Sequence, residues 1–305
     1  MRCMVGGNWE RYSRQRPMAI MSIEELAGKQ NQDGGWPYVR GTSWTEPTVY
    51  AVLALLAAGE TECSGRGLRW IGRNEQPDGG WPAQPGIDQS TSVTALVALL
   101  PPELLGREAH GRGIAWLLGM EGEESTLTYR LREWLLGNAP GADQEFAGWP
   151  WVPGTGAWVG PTSLAILALE KENRRTPRAD LRRRVEEGRK FLIRRMCQDG
   201  GWNHGAVRAL GYESQPYPET TGQALLALRG VRSAEVGKAL TVARRFLAEC
   251  RSADALNWLR LGLLAHDELP AGYCVPAGVA SRTLPDASLD MLVGAAQKGS
   301  NLFWV

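Results

Sequence analysis

QNQDGGWPYVRGTSWTEPTVYAVLALL (Gln30–Leu56) and EQPDGGWPAQPGIDQSTSVTALVALL (Glu75–Leu100) are two copies of one plan. In each, Asp-Gly-Gly-Trp is followed by a polar loop and then an apolar run. The tetrad returns in CQDGGW (Cys197–Trp202), and QEFAGWPWVPGTGAWVGPTSLAILAL (Gln144–Leu169) is a degenerate copy. The four tryptophans, Trp36, Trp81, Trp149 and Trp202, stand 45, 68 and 53 residues apart, a spacing typical of helical-hairpin repeats.

Outward from each tryptophan the pattern is constant. An amphipathic stretch leads in, such as GLRWIGRNEQ or GRKFLIRRMCQ, with Arg, Lys and Glu on one side. The run that follows (Glu46–Gly59, Ser90–Pro101, Gly160–Lys171, Glu219–Gly230) is apolar around nearly its whole circumference, as in a helix buried on all sides. A fifth pair, EVGKALTVARRFLAEC and Ala253–Asp267, lacks the Gly/Trp loop. Amphipathic helices outside and apolar helices inside give an all-α, single-domain α/α toroid of about five to six helical hairpins spanning residues 1–305. The repeats fall at 18–59, 65–101, 107–171, 185–230 and 235–267. The segment 285–305 supplies the closing element, Ser125–Gly137 is an inserted helix, and strand content is expected to be negligible.

Composition fits this reading: 43% of the 305 residues are hydrophobic, enough for a large core, and a net charge of +1 gives no footprint for nucleic acid. Five scattered cysteines without a CxxC spacing favour reduced thiols in a cytoplasmic setting. The N-terminal stretch Met1–Pro17 has no apolar h-region, and no run is long enough for a transmembrane segment.

In the loop itself, the paired glycines permit positive φ and Asp33, Asp78 and Asp199 can close Asx turns. Gln30, Gln76 and Gln198 are placed to meet the orphan carbonyls ending each preceding helix, with the indole laid over that end. So read, Gln30, Asp33, Trp36, Gln76, Asp78, Trp81, Trp149, Gln198, Asp199 and Trp202 are structural clamps.

Gln-x-x-Asp-Gly-Gly-Trp between an outer and an inner helix resembles the QW motif of the squalene and oxidosqualene cyclases, and related repeats occur in protein prenyltransferase β subunits. The resemblance runs from about Met18 to Asp267. It implies a toroid with a central apolar cavity and an isoprenoid substrate (polyprenyl or triterpene-like), and it allows for a protein partner subunit. The chemical signatures of these families are missing. Their Asp-x-Asp-Asp acid motif would fall on Ile87–Ser92, where only Asp88 is acidic. No DDxxD is present, and Cys197 and His204 lack the Asp-x-Cys segment of the prenyltransferase zinc site. Neither cofactor nor metal is expected.

What remains are acids at the starts of inner helices: Glu46, Asp88 and Glu219. One reading makes them acid–base residues facing the cavity; the other makes them carboxylates capping the positive helix end. Beside them stand Trp44, Tyr50, Trp151, Trp158, Tyr212 and Tyr217, which either line a substrate cavity or pack loop on loop. The basic stretch Glu172–Arg195 is read as a solvated outer face, with docking on anionic lipid as the alternative. The functional expectation is thus an isoprenoid-acting or isoprenoid-binding protein, with a non-catalytic lipid-binding or protein-interaction scaffold as alternative.

Overall fold

A computed structural model describes residues 21–137, 146–205, 208–209 and 212–304. The N-terminal stretch, the first residues of the opening repeat (18–20) and Gln144 lie outside the described residues. The helices are α1 (Ile23–Ala27), α2 (Thr45–Ala57), α3 (Glu62–Arg73), α4 (Val93–Val97), α5 (Pro102–Leu105) and α6 (Arg107–Gly119). They continue with α7 (Leu127–Leu135), α8 (Val159–Arg175), α9 (Ala179–Arg194), α10 (Pro218–Ala227), α11 (Ala234–Glu249), α12 (Ala253–Leu264) and α13 (Leu284–Gln297). The described strands are two-residue pairs only: β1 (Trp149–Pro150) with β2 (Ala157–Trp158), and β3 (Arg208–Ala209) with β4 (Tyr212–Glu213).

The apolar runs form the inner ring. Contacts pass from α2 to α4, α8, α10, α12 and α13, and α13 packs back on α2, which closes the circle. In α2 every residue from Thr45 to Leu55 except Glu46 is buried, so the helix has no polar face to turn outward. Helices α1, α3, α6, α9 and α11 lie outside, each exposing a charged face. The expected second inner helix is shorter than its apolar run. After Val97 the chain tightens into three-residue turns (Leu99 N to Leu96 O, 3.1 Å; Leu100 N to Val97 O, 3.0 Å), and Pro101–Pro102 then stops it.

One contact in the ring is backbone on backbone. A Cβ on Gly222 of α10 would lie 2.3 Å from the carbonyl carbon of Trp258 in α12, and one on Gly262 would lie 2.6 Å from Gly222 O. Only glycine lets these helices approach so closely.

The four tryptophans of the Gly/Trp loops share one set of hydrogen bonds. Each indole Nε1–H donates to a carbonyl in the last turns of the preceding outer helix: Trp36 to Leu26 (2.9 Å), Trp81 to Ile71 (2.8 Å), Trp149 to Leu117 (2.9 Å) and Trp202 to Leu192 (2.6 Å). The capping role assigned to glutamine therefore belongs to the indole. Each tryptophan's backbone N–H donates to a threonine at the next inner helix, namely Thr48, Thr94, Thr162 and Thr221. The ring edges rest on glycines of the next outer helix: a Cβ on Gly67, Gly113 or Gly188 would meet Trp36, Trp81 or Trp149 at 2.8–2.9 Å.

The glutamines are not equivalent. Gln30 Nε2 donates to Gly34 O and to Cys63 O at the start of α3, while its Oε1 accepts from Arg66 (2.7 Å). Glu75 stands in its place in the second repeat and pairs with Arg112 (2.6 Å). Gln76 is one position later and Gln198 two, because the glutamines precede their tryptophans by six, five and four residues. The two glycines also differ. Gly34 and Gly79 need positive φ (97° and 85°). Gly35 and Gly80 are instead required by space, since a Cβ would lie 2.5–2.6 Å from that of Ser43 or Ser90.

Loop-to-loop hydrogen bonds hold the starts of the inner helices together on one face. Thr45 N donates to Ala83 O (2.9 Å), Ser92 N to Trp151 O (2.8 Å), Val159 N to His204 O (3.0 Å) and Leu284 N to Tyr38 O (2.7 Å). This face is the mouth of the ring. The insertion carrying α7 belongs to it, tied to the third loop by hydrogen bonds from Glu123 N to Thr155 O and from Ala157 N to the Glu124 carboxylate. The basic stretch is only partly a solvated face. Arg184 is buried over the Trp149 ring (3.5 Å) and donates to Ala147, Met120 and Gly148 carbonyls, and Arg189 pairs with Glu170 (2.7 Å).

Candidate functional site

The mouth opens into a cavity of about 130 Å³ lined by Glu46, Tyr50, Trp151, Gln223, Asp254 and Trp258 among others. It sits where α2, α4, α8, α10, α12 and α13 begin or make their first turns. Among the described residues, side chains below the mouth such as Leu53, Leu96, Leu225 and Leu256 are buried in a continuous core, and the cavity at the mouth is far smaller than the wide central one that the resemblance implies. Sites for drug-sized ligands run from roughly 300 Å³ upward, so this pocket holds one end of a long chain at most. An adjoining cleft of about 390 Å³ runs between the starts of α12 and α13, lined by Arg251, Ser252, Arg282 and Asp286, with no aromatic ring.

Two carboxyl groups face the cavity, and burial pushes both toward the neutral form. Glu46 occupies the second position of α2; its pKa is raised by burial, against a partly offsetting hydrogen bond from the Tyr38 hydroxyl. Asp254 occupies the second position of α12. Burial first, then the negative charges of Asp286, Glu219 and Glu46, push it up to about 7, while a Trp258 hydrogen bond works the other way. Neither acid caps its helix. The cap residue of α2 is Trp44, without a side-chain cap bond, and that of α12 is Ser252, whose hydroxyl accepts from Ala255 N. Tyr38 and Tyr50 are raised as well, chiefly by burial and then by the Glu46 charge, so their hydroxyls stay protonated donors.

Of the three acids expected from the sequence, Glu46 lines the cavity. Glu219 stands at its margin, 3.9 Å from His204, and contributes to the field on Asp254. Asp88 is exposed in the loop before α4 and does not line the cavity. The aromatic expectations divide in the same way. Tyr50 and Trp151 line the cavity; Tyr50 is buried and meets the Trp258 ring edge-on at 6.3 Å. Trp44, Trp158 and Tyr217 are the cap residues of α2, α8 and α10, set around the rim. Trp158, His204 and Tyr217 form a row with ring centroids 5.9 and 5.2 Å apart. Tyr212 falls in β4, where its side chain is outside the described residues.

Asp254, Tyr38, Gln223 and Trp258 were missed by sequence reasoning. For Asp254 a signal existed: SADALNWL puts an acid at the second helical position, as TEPT does for Glu46. Without a Gly/Trp loop ahead of it, that repeat carries no local mark of a site. Among the described residues no cluster of His, Cys, Asp or Glu is arranged to hold a metal ion.

No protein-family profile matches the chain. Over 223 residues it is 27% identical to drimenyl diphosphate synthase from Streptomyces showdoensis, covering 72% of this chain and 35% of that protein. The chain thus spans about a third of the length of this curated relative. Among solved structures it is similar to a GH8 endo-β-1,4-glucanase from an Achatina fulica gut metagenomic library (TM-score 0.59, 17% identity, 91% of this chain and 97% of that one). It is also similar to the type II terpene cyclase MstE from Scytonema in complex with geranylgeranyl dihydroxybenzoate (TM-score 0.51, 17% identity, 90% and 80%). The structural neighbours share the α/α-toroid fold across different chemistries. The sequence similarity to drimenyl diphosphate synthase adds support for a terpenoid-cyclase-like relationship.

Proposed function

We propose that this protein is terpenoid-cyclase-like and takes the end of an isoprenoid chain into the mouth of the ring, with Asp254 and Glu46 as its proton-bearing groups. The observation that carries the reading is two carboxyls held toward the neutral form beside Tyr50, Trp151 and Trp258. A neutral carboxyl can give its proton to a terminal alkene carbon. The new C–H bond leaves a tertiary cation; attack by a further alkene of the chain and loss of a proton to water discharge it, and the carboxylate recovers a proton from solvent. Aromatic faces stabilise such a cation by about 0.5–2 kcal/mol each. The cavity volume supports entry of the chain end only, with the rest lying across the rim formed by Trp44, Trp158 and Tyr217. The absence of an Asp-x-Asp-Asp motif and the small cavity favour a second reading in which the same pocket binds the chain end without turning it over.

Turnover decides between them. The protein is incubated with squalene and with geranyl, farnesyl and geranylgeranyl diphosphates, with and without Mg²⁺ or Zn²⁺, and products are followed by mass spectrometry. A β-1,4-glucan serves as a further substrate. Isoprenoid product that falls about 10²-fold or more in Asp254→Asn or Glu46→Gln, and persists in Asp88→Asn, supports the catalytic reading. Binding without product, lost in Trp151→Ala, supports the second. Glucan hydrolysis with no isoprenoid binding overturns both.

A further inference from the structure

The mouth cavity is backed from the opposite end of the ring. After α13 the chain reverses at Gly299 (φ 93°), where Gly299 N donates to Ala296 O and Ser300 N to Ala295 O, a paired helix ending that needs a left-handed residue. The segment Asn301–Trp304 then crosses the far side, where α4, α8 and α10 end. Lys171, in the last turns of α8, donates to Leu302 O (2.7 Å) and to Leu99 O (3.1 Å), and Arg174 donates to Trp304 O (2.9 Å). Arg229, just past α10, lies over the Trp304 ring at 4.7 Å. Phe303 N donates to Asn301 Oδ1 (3.0 Å), an Asx turn that fixes the local course of the chain. Phe303 is 1% exposed, and its ring meets that of Trp258 at 5.7 Å. Trp258 meets Tyr50 in turn, and both of these line the cavity, whereas Phe303 does not. Phe303 thus stands behind the cavity wall, on the side away from the mouth.

Resting on the reading of the mouth as a site for a chain end, we propose that Asn301–Trp304 is a stopper set into the far end of the ring, and that Phe303, by backing Trp258, fixes how deep an apolar chain enters. The segment is an inserted piece and not part of the ring wall. Among the described residues it makes no backbone-to-backbone hydrogen bond outside itself; side chains of α8 tether it, and the buried Phe303 ring anchors it. Its fit is incomplete, since Asn301 Nδ2 is buried without a hydrogen-bond partner. The indole of Trp258 is held between the cavity and Phe303, and close packing leaves it no room to retreat while that ring is in place. Shortening residue 303 leaves a void that the surroundings fill only in part. Trp258 borders that void, so its indole can move into it and deepen the cavity at the mouth.

The test is the chain length at which binding stops improving. Straight-chain primary alcohols from hexanol to hexadecanol are titrated into the full chain by calorimetry. Each methylene that gains apolar contact strengthens binding about fourfold, so affinity climbs with length and levels off where the chain meets the floor. Phe303→Ala should move that break to longer chains and bind the longest probe at least about tenfold tighter than wild type does. Phe303→Leu, which keeps an apolar side chain in the core, should move the break in the same direction but less, and it decides the matter if Phe303→Ala does not fold. Lys171→Met, which releases Leu302 O with Phe303 intact, should also move it toward longer chains. If Phe303 only packs the core, the variants lose stability in urea while the break stays at its wild-type length, and the proposal is overturned. A wild type that binds no alcohol overturns the chain-end reading instead; the stopper then stands if the Phe303 variants gain binding and falls if they do not.

Discussion

Asp33 and Asp254 belong to the same face of the same ring, and the structure drives them toward opposite charge states. Burial raises the Asp33 carboxyl, but hydrogen bonds from the Ser43 hydroxyl, Gly35 N and the Trp70 indole outweigh it, and the group ends below its usual range. Asp78 repeats this with Ser90, Gly80 and Trp116. Asp254 is more deeply buried, receives little hydrogen bonding, and looks onto other acids. The difference teaches that the clamps and the cavity are separate devices. In the clamp every acceptor is used to hold the turn; in the cavity the carboxyl is left under-bonded, and its proton is available.

The largest expected effect falls on the clamp. Trp81→Ala removes a fully buried ring, opens a void over Gly113 and orphans the Ile71 carbonyl, and should cost about 3–5 kcal/mol in urea denaturation. A loss below about 1 kcal/mol would mean that the repeat does not hold the ring together. Asp254→Asn should act in the opposite direction. Because its folded pKa of about 7 lies above the unfolded value near 3.9, stability from this group is complete at low pH and is lost as pH rises toward 7. The variant should therefore gain up to about 4 kcal/mol over wild type at pH 8 and nothing near pH 3. A variant that is destabilised at both pH values would show Asp254 to be structural, and the contrast with Asp33 would collapse.

Asp33→Asn should cost about 1–3 kcal/mol near neutral pH, since an amide cannot accept from Ser43, Gly35 and Trp70 together. The wild-type advantage should shrink as pH falls below about 4, where the unfolded chain takes up the proton that the folded carboxylate, held below its usual range, still refuses. The smallest change sharpens the picture most. Thr48→Ser keeps the hydroxyl that accepts from Trp36 N and donates to Trp44 O, and should cost about 0.8 kcal/mol for the lost methyl. A markedly larger loss would show that packing of the threonine, rather than its hydrogen bond, links the loop to the inner helix.

The alternation of amphipathic and wholly apolar stretches made the ring legible, because burial on all sides leaves no other place for a helix such as VYAVLALL. The sequence reading placed a closing element in 285–305 and an inserted helix at Ser125–Gly137, and α13 and α7 stand in those segments. The candidate site was half legible. Glu46, Tyr50 and Trp151 were found from their place beside a Gly/Trp loop, whereas Asp88 shared that place and stands in solvent. Local position decides that an acid stands near a helix start; it does not decide which neighbours surround it.

The sequence by itself determined the fold class, an all-α toroid, because the choice between amphipathic and wholly apolar stretches depends on near neighbours along the chain. Tertiary structure alone decided that Gly222 and Gly262 bring α10 against α12, that the cavity at the mouth measures about 130 Å³, and that Asp254 meets the fields of Glu46, Glu219 and Asp286. These are consequences of closure. A pKa is set by charge and solvent arriving from every side, and those sides are assembled only when residues more than 200 positions apart, Glu46 and Asp254 among them, meet across the ring.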